Sequence, residues 1–232
     1  MVALAIVFLV LFFLTVDFFY QRWSIQREAA RTPASAGKAV HLPLVEHIPH
    51  GTFVAPGHTW LTLDHAGNEV TVGADPIATG LLGEIDSLEL KGAGARVERG
   101  EVIATIKRGA RTIELRSAIE GVIEAVNART EQDPDMLRRD PFGDGWLYRI
   151  RAEGLAGQLK DTKIGEEAAL YLARELGRLR DAIAKVSGAQ GVGATLADGG
   201  PIAEGAMVTV DDASFAKVVA EIFDPRSSAA VH

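Results

Sequence analysis

No cysteine occurs in the 232 residues. Disulfides, thiolate nucleophiles, thiolate-held iron–sulfur clusters and cysteine zinc sites are therefore excluded. A reducing compartment fits this composition. A basic surplus is also lacking: 24 Lys and Arg stand against 31 Asp and Glu, for a net charge of -7. Such a chain is no general nucleic-acid binder, because the phosphate backbone needs a cationic surface. No serine sits in a G-x-S-x-G elbow, and no Gly-Lys-Ser/Thr ending closes the glycine-rich stretch "GAQGVGATLADGGPIAEG". Neither a nucleophile elbow nor a phosphate loop is indicated. That stretch reads as a flexible connector. With cysteine gone, a nucleophile would have to be Ser, Thr or Lys beside a base, and no such grouping stands out. The chain is expected not to be an enzyme.

Apolar residues make up 47% of the sequence, enough for a globular core. One long apolar run opens it: "MVALAIVFLVLFFLTV", then Asp17, Phe18, Phe19 and Tyr20. About 20 helical residues span roughly 30 Å, the thickness of bilayer hydrocarbon. Tyr20 and Trp23 fall where interfacial aromatics sit. A cleavable signal peptide, the rival reading, would need a basic stretch before the run and a small-x-small site after it. Neither is present, so a single-pass anchor is expected over residues 1–23. Arg22, Arg27, Arg31 and Lys38 follow the run, with Glu28 the acid among them. This bias puts the following domain on the cytoplasmic side of an inner membrane.

Residues 24–57 carry Pro33, Pro43, Pro49 and Pro56 and read as a tether. His41, His47, His50 and His58 lie in or beside it. Their spacing matches no helical or zinc-finger pattern, so no metal is expected. Short strands follow. Trp60–Leu63 and Glu69–Val72 read as a hairpin, "PIATGLLG" as a helical turn, and "EIDSLEL" as a strand. "VIATIK", "TIELRSA" and "EGVIEAVNAR" are further strands, and Trp146–Ile150 is the last of them. Later the period changes. Ala169, Leu172, Leu176, Leu179, Ile183 and Val186 recur every three or four residues, a heptad stripe on one helix. It packs either on its own domain or on a partner. "MVTV" is a strand candidate, and "ASFAKVVAEIF" a helix that Asp211, Asp212 or Ser214 could cap.

The run from His58 to Ile150 resembles the glycine cleavage system H protein in order and spacing. "HTWLTLDHAGNEVTVGAD" is similar to that family's H-x-W strand and the VTVG strand after it. "LRSAIEGVIEAVNA" and "DPDMLRRDPFGDGWLYRI" resemble two further segments. In the last, Asp140, Pro141, Gly143, Gly145 and Trp146 fall in register. Asp133, Asp135, Asp140 and Asp144 thus cluster in a segment the family uses structurally. The resemblance implies a lipoyl-type hammerhead, a flattened β-barrel or sandwich, over residues 58–152. Helical additions complete a mainly β chain, with an extension over 153–232 that contains the glycine-rich connector.

The resemblance also implies a hairpin turn whose lysine carries lipoate in amide linkage, the arm moving a group between enzymes. Ungapped alignment from Gly100-Glu101 to Ser117 puts that lysine position on Ala110 and the acidic residue before it on Lys107. Alanine has no amine to acylate, so no cofactor is expected, lipoate entering only if Lys107 is modified. The expected function is a non-catalytic, membrane-anchored subunit that scaffolds a bacterial inner-membrane complex, an electron-transfer complex being one candidate. Its partners would be other subunits, met by a basic tip of Lys107, Arg108 and Arg111 and by the helix stripe Leu172, Leu176, Leu179 and Ile183. The alternatives are a lipoyl carrier modified at Lys107 and, third, a membrane-fusion adaptor of an export system.

Overall fold

The computed structural model of the chain describes residues 48–64, 69–187, 207, 208 and 210–223. The expected anchor, most of the tether and the glycine-rich connector lie outside these residues. Among the described residues, no helix is long and apolar enough to cross a membrane.

Among the described residues, ten strands form two antiparallel sheets. They are β1 (Phe53–Ala55), β2 (Thr59–Leu63), β3 (Glu69–Ala74), β4 (Ser87–Leu90), β5 (Arg96–Val97), β6 (Val102–Arg108), β7 (Arg111–Arg116), β8 (Gly121–Val126), β9 (Trp146–Ala152) and β10 (Lys163–Ile164). The larger sheet runs β10-β1-β2-β3-β9-β8-β5, and the smaller runs β4-β6-β7. Their facing sides supply Leu61, Val70, Val72, Ile150, Ile106, Ile113 and Leu115 to one core. Tyr148 of β9 ties the sheets together. Its hydroxyl donates to the Ile103 carbonyl at 2.6 Å and accepts from the Lys91 amide at 2.8 Å. Burial pushes this phenol well above its ordinary pKa.

Alternation explains the hairpin β2–β3, in which Trp60 pairs with Gly73 and Leu61 with Val72. Trp60 is buried, and its indole N–H donates to the Pro141 carbonyl at 2.9 Å. Glycine is required opposite it: a Cβ at Gly73 would lie 2.4 Å from the indole ring. Helix α1 (Pro76–Leu82) then starts as the sequence signals, with Asp75 accepting from the amides of Ile77 and Ala78 and proline in the first turn.

The aspartates of the 133–144 segment are structural. Asp140 accepts from the Asp144 amide at 2.7 Å and shapes the turn into β9. Asp144 pairs with Arg129 at 3.0 Å, Asp133 with Arg139, and Asp135 with Arg138. Arg138, chiefly through its hydrogen bond, holds the Asp135 carboxyl below the usual range.

The structure corrects the expectations at several places. The sheet starts at Phe53, inside the stretch read as tether, because β1 pairs with β2. It closes with Lys163–Ile164, beyond the expected end at 152, pairing there with Val54 and Phe53. Strands of two and three residues are too short to show a period. "MVTV" forms no strand among its described residues: Met207 and Val208 form a turn and Val210 a bend.

Two long helices complete the described chain, α5 (Glu166–Ser187) and α6 (Asp212–Phe223), after the short helices α2 (Ala128–Gln132), α3 (Met136–Arg139) and α4 (Leu155–Gln158). Asp211 caps α6 by accepting from the Ser214 amide at 2.9 Å. Phe215, Val218, Ile222 and Phe223 form its buried face.

Candidate functional site

The β6–β7 hairpin pairs Lys107 with Thr112 and Arg108 with Arg111, leaving Gly109 and Ala110 as a two-residue turn. Gly109 has φ 56, while His58 is the one non-glycine with positive φ among the described residues. Positive φ at the first turn residue alone is the type II′ pattern, which suits glycine there. The turn is braced from α1's side of the domain. The Gly109 amide donates to Asp86 Oδ2 at 2.7 Å, and the Asp86 amide donates to the Lys107 carbonyl at 2.9 Å. Gly109 and Ala110 are exposed.

The three cations expected to form a docking tip are each engaged within the chain. Lys107 pairs with Glu89 of the neighbouring β4. Arg108 donates to the Leu82 carbonyl at the end of α1. Arg111 is more enclosed than Lys107, with 16% of its side chain exposed against 31%. Its guanidinium donates to Asp212 Oδ1 at 2.8 Å and to the carbonyls of Met207 and Val210. It also lies 5.1 Å from the centre of the Phe215 ring. Sequence reasoning missed Asp86, Glu89 and Asp212 because they lie far from the turn in the chain.

The helix stripe is likewise turned inward. Leu172, Leu179 and Ile183 are buried within the chain, and Leu176 is half-buried. Of the two settings expected for the stripe, packing on its own domain is the one formed among the described residues: α5 packs on α6 and on the strand β10. The inward face is centred on Ala168, Leu172, Glu175, Leu179, Ala182 and Ile183. It is displaced from the heptad reading because Glu175, a polar residue, is one of its buried members.

Glu175 belongs to a buried ionic cluster that no motif signalled. His58 Nδ1 lies 2.9 Å from Asp75 Oδ2, with both side chains buried. Burial opposes the charge on His58, but Asp75 outweighs it, aided by Glu175 and by a hydrogen bond to the Ile222 backbone, and the imidazole pKa is raised. Arg178 holds both Glu175 oxygens at 2.9 Å. Among the described residues, no group of three or more His, Cys, Asp or Glu could hold a metal ion.

Two small antiparallel sheets around one core, with an exposed two-residue turn at one end, define a lipoyl-type β domain carrying helical additions. The family profile described as "Glycine cleavage H-protein" matches residues 53–173. The chain belongs to that family. The glycine cleavage system H protein of Gloeobacter violaceus is 33% identical over 110 residues, covering 47% of this chain and 84% of that protein. The protein of the same name from Pseudoalteromonas atlantica is 35% identical over 109 residues, covering 47% and 84%. A crystal structure of a glycine cleavage system H protein from Mycobacterium marinum aligns with TM-score 0.48 at 25% identity, covering 54% of this chain and 99% of that one.

Proposed function

We propose that the chain is a non-catalytic member of the H-protein family that works without a lipoyl arm, as an anchored docking subunit of a membrane complex. The observation that carries this reading is the turn itself. Ala110, on which the ungapped register puts the family's lysine, is the exposed second residue of the turn and offers a methyl group. An amide to lipoate needs an ε-amine, so the residue at the tip does not fit the group. The anchor over residues 1–23 rests on the apolar run and its basic flank.

The names of the relatives favour the second reading, a lipoyl carrier, over the membrane scaffold. Lys107 is the lysine of this hairpin, and one observation speaks for it. The acidic neighbour that its own sequence lacks is supplied across the sheet by Glu89. Against it stands position: Lys107 lies on β6 before the turn, and a shift of three residues along a strand also changes its face. Peptide mass spectrometry on chain isolated from its native host separates the two readings. An unmodified Lys107 peptide at full occupancy supports the armless reading, and a lipoyl increment on it supports the carrier.

A further inference from the structure

The β6–β7 hairpin has a second end, away from its turn, and a small cavity sits there. It lies between the outer ends of the two strands, the link from β1 to β2, and Thr162 just before β10, and it encloses about 130 Å³. That is room for about four waters or one compact anion. Six strand steps separate Ala110 from Arg116, so the cavity lies roughly 20 Å from the turn.

The strand ends are tied where the cavity opens. The Gly100 amide donates to the Ser117 carbonyl at 2.7 Å, and the Ser117 amide donates to the Glu101 carbonyl at 2.8 Å. Gly57, in the β1–β2 link, backs onto this edge: a Cβ there would lie 3.9 Å from Arg116 Cβ.

Two guanidiniums line the cavity, those of Arg99 and Arg116, and none of the lining residues is acidic. Its hydroxyls have already placed their protons. Ser117 donates to the Ile119 carbonyl, and Thr162 to the Leu159 carbonyl at 2.7 Å. The side-chain donors left are guanidinium N–H groups. Arg99 donates to Asp161, and Arg116 donates to the Gly100 carbonyl at 3.1 Å and to Glu114 at 3.2 Å. A guanidinium has five N–H groups, so most of them lack an acceptor among the described residues. Asp161 and Glu114 stand outside the lining, with more than half of each side chain exposed. Such exposed ion pairs contribute little. An anion with two or more terminal oxygens can therefore take up the spare N–H groups of both arginines at small loss, in the paired geometry that guanidinium favours.

We propose that this cavity binds a compact dianion, of phosphate or dicarboxylate type, bridged between Arg99 and Arg116. Asp161 and Thr162 belong to the extension beyond β9, so the bound anion ties that extension to the base of the hairpin. The site stands apart from the turn and does not depend on whether the hairpin carries lipoate.

Amide chemical shifts of the full chain in mild detergent test it, titrated at constant ionic strength with inorganic phosphate in one arm and succinate in the other. Saturating shifts confined to residues 55–57, 99–100, 116–118 and 162 are expected in at least one arm. The arm that saturates earlier identifies the oxyanion. Arg99→Gln and Arg116→Gln should each weaken binding about tenfold, the loss of one charge-assisted hydrogen bond. Asp161→Asn and Glu153→Gln remove the same negative charge, but Glu153 pairs with Arg96 and does not line the cavity. The first should tighten binding severalfold and the second should leave it unchanged. Shifts that never saturate in either arm, shifts scattered over the surface arginines, or equal tightening by both charge-removing variants overturn the proposal. If an arginine variant fails to fold, the titrations of the unaltered chain still decide.

Discussion

Arg111 directs its guanidinium at three acceptors in one distant segment, so its removal strands two carbonyls and a carboxylate at once. Lys107, two positions before the turn, makes a single pair with Glu89, whose side chain is 65% exposed. The two cations look alike in the sequence and differ in consequence. Arg111→Ala should lower stability to urea by about 1.5–3 kcal/mol, the range for hydrogen bonds to charged groups. Lys107→Ala should change it by less than about 1 kcal/mol, as an exposed ion pair does. Equal effects would mean that the clamp on residues 207–212 is not formed in solution. None of this was legible locally: a basic turn reads as solvated charge until the chain that covers it is placed. Asp75 is the contrary case. It caps α1 just before Pro76, a local signal that the reading of "PIATGLLG" as a helical turn did not use.

Whole elements were legible where a period had room to show. The paired strands β2 and β3 followed from two β-rich runs with a turn-like link between them, and α6 from its apolar spacing and acidic start. Pairs such as β1 with β10 were hidden, because two or three residues carry no pattern and their partner is remote in sequence. The helix α5 was legible as a helix, but its inward face was not, since Glu175 is buried for its charge partners rather than its apolarity. Leu172→Ala, which empties a fully buried position, should cost about 2–5 kcal/mol in denaturant unfolding. Leu170→Ser, on a residue 51% exposed, should stay within about 0.5 kcal/mol. A large loss at Leu170 with little at Leu172 would refute the assigned face. Between the sheets, Tyr148→Phe leaves the Lys91 amide and the Ile103 carbonyl without their shared partner. Its expected cost is about 1–3 kcal/mol.

At the scale of the molecule, one buried charge links the β domain to its helical extension. The pKa of His58 is raised from 6.5 in the folded chain. A raised cationic pKa means that the folded state holds its proton more tightly than the unfolded state does. The resulting stabilisation is complete below about pH 6.5 and is lost as pH rises through the folded value. Stability followed by thermal unfolding should therefore decline on the alkaline side of neutrality, and His58→Asn should flatten that decline. A chain whose stability rises from pH 6.5 to pH 8 would contradict this sign.

The family of the domain was legible in the order of its segments, and the proposed departure at Ala110 rests on an ungapped register. What the molecule does with an H-type domain turns on that departure. The most direct measurement is the mass of peptides spanning the β6–β7 hairpin, from chain expressed with an active lipoylation system. The account predicts the unmodified mass at every hairpin residue. A lipoyl increment on the peptide containing Lys107 would contradict it and make the protein a carrier.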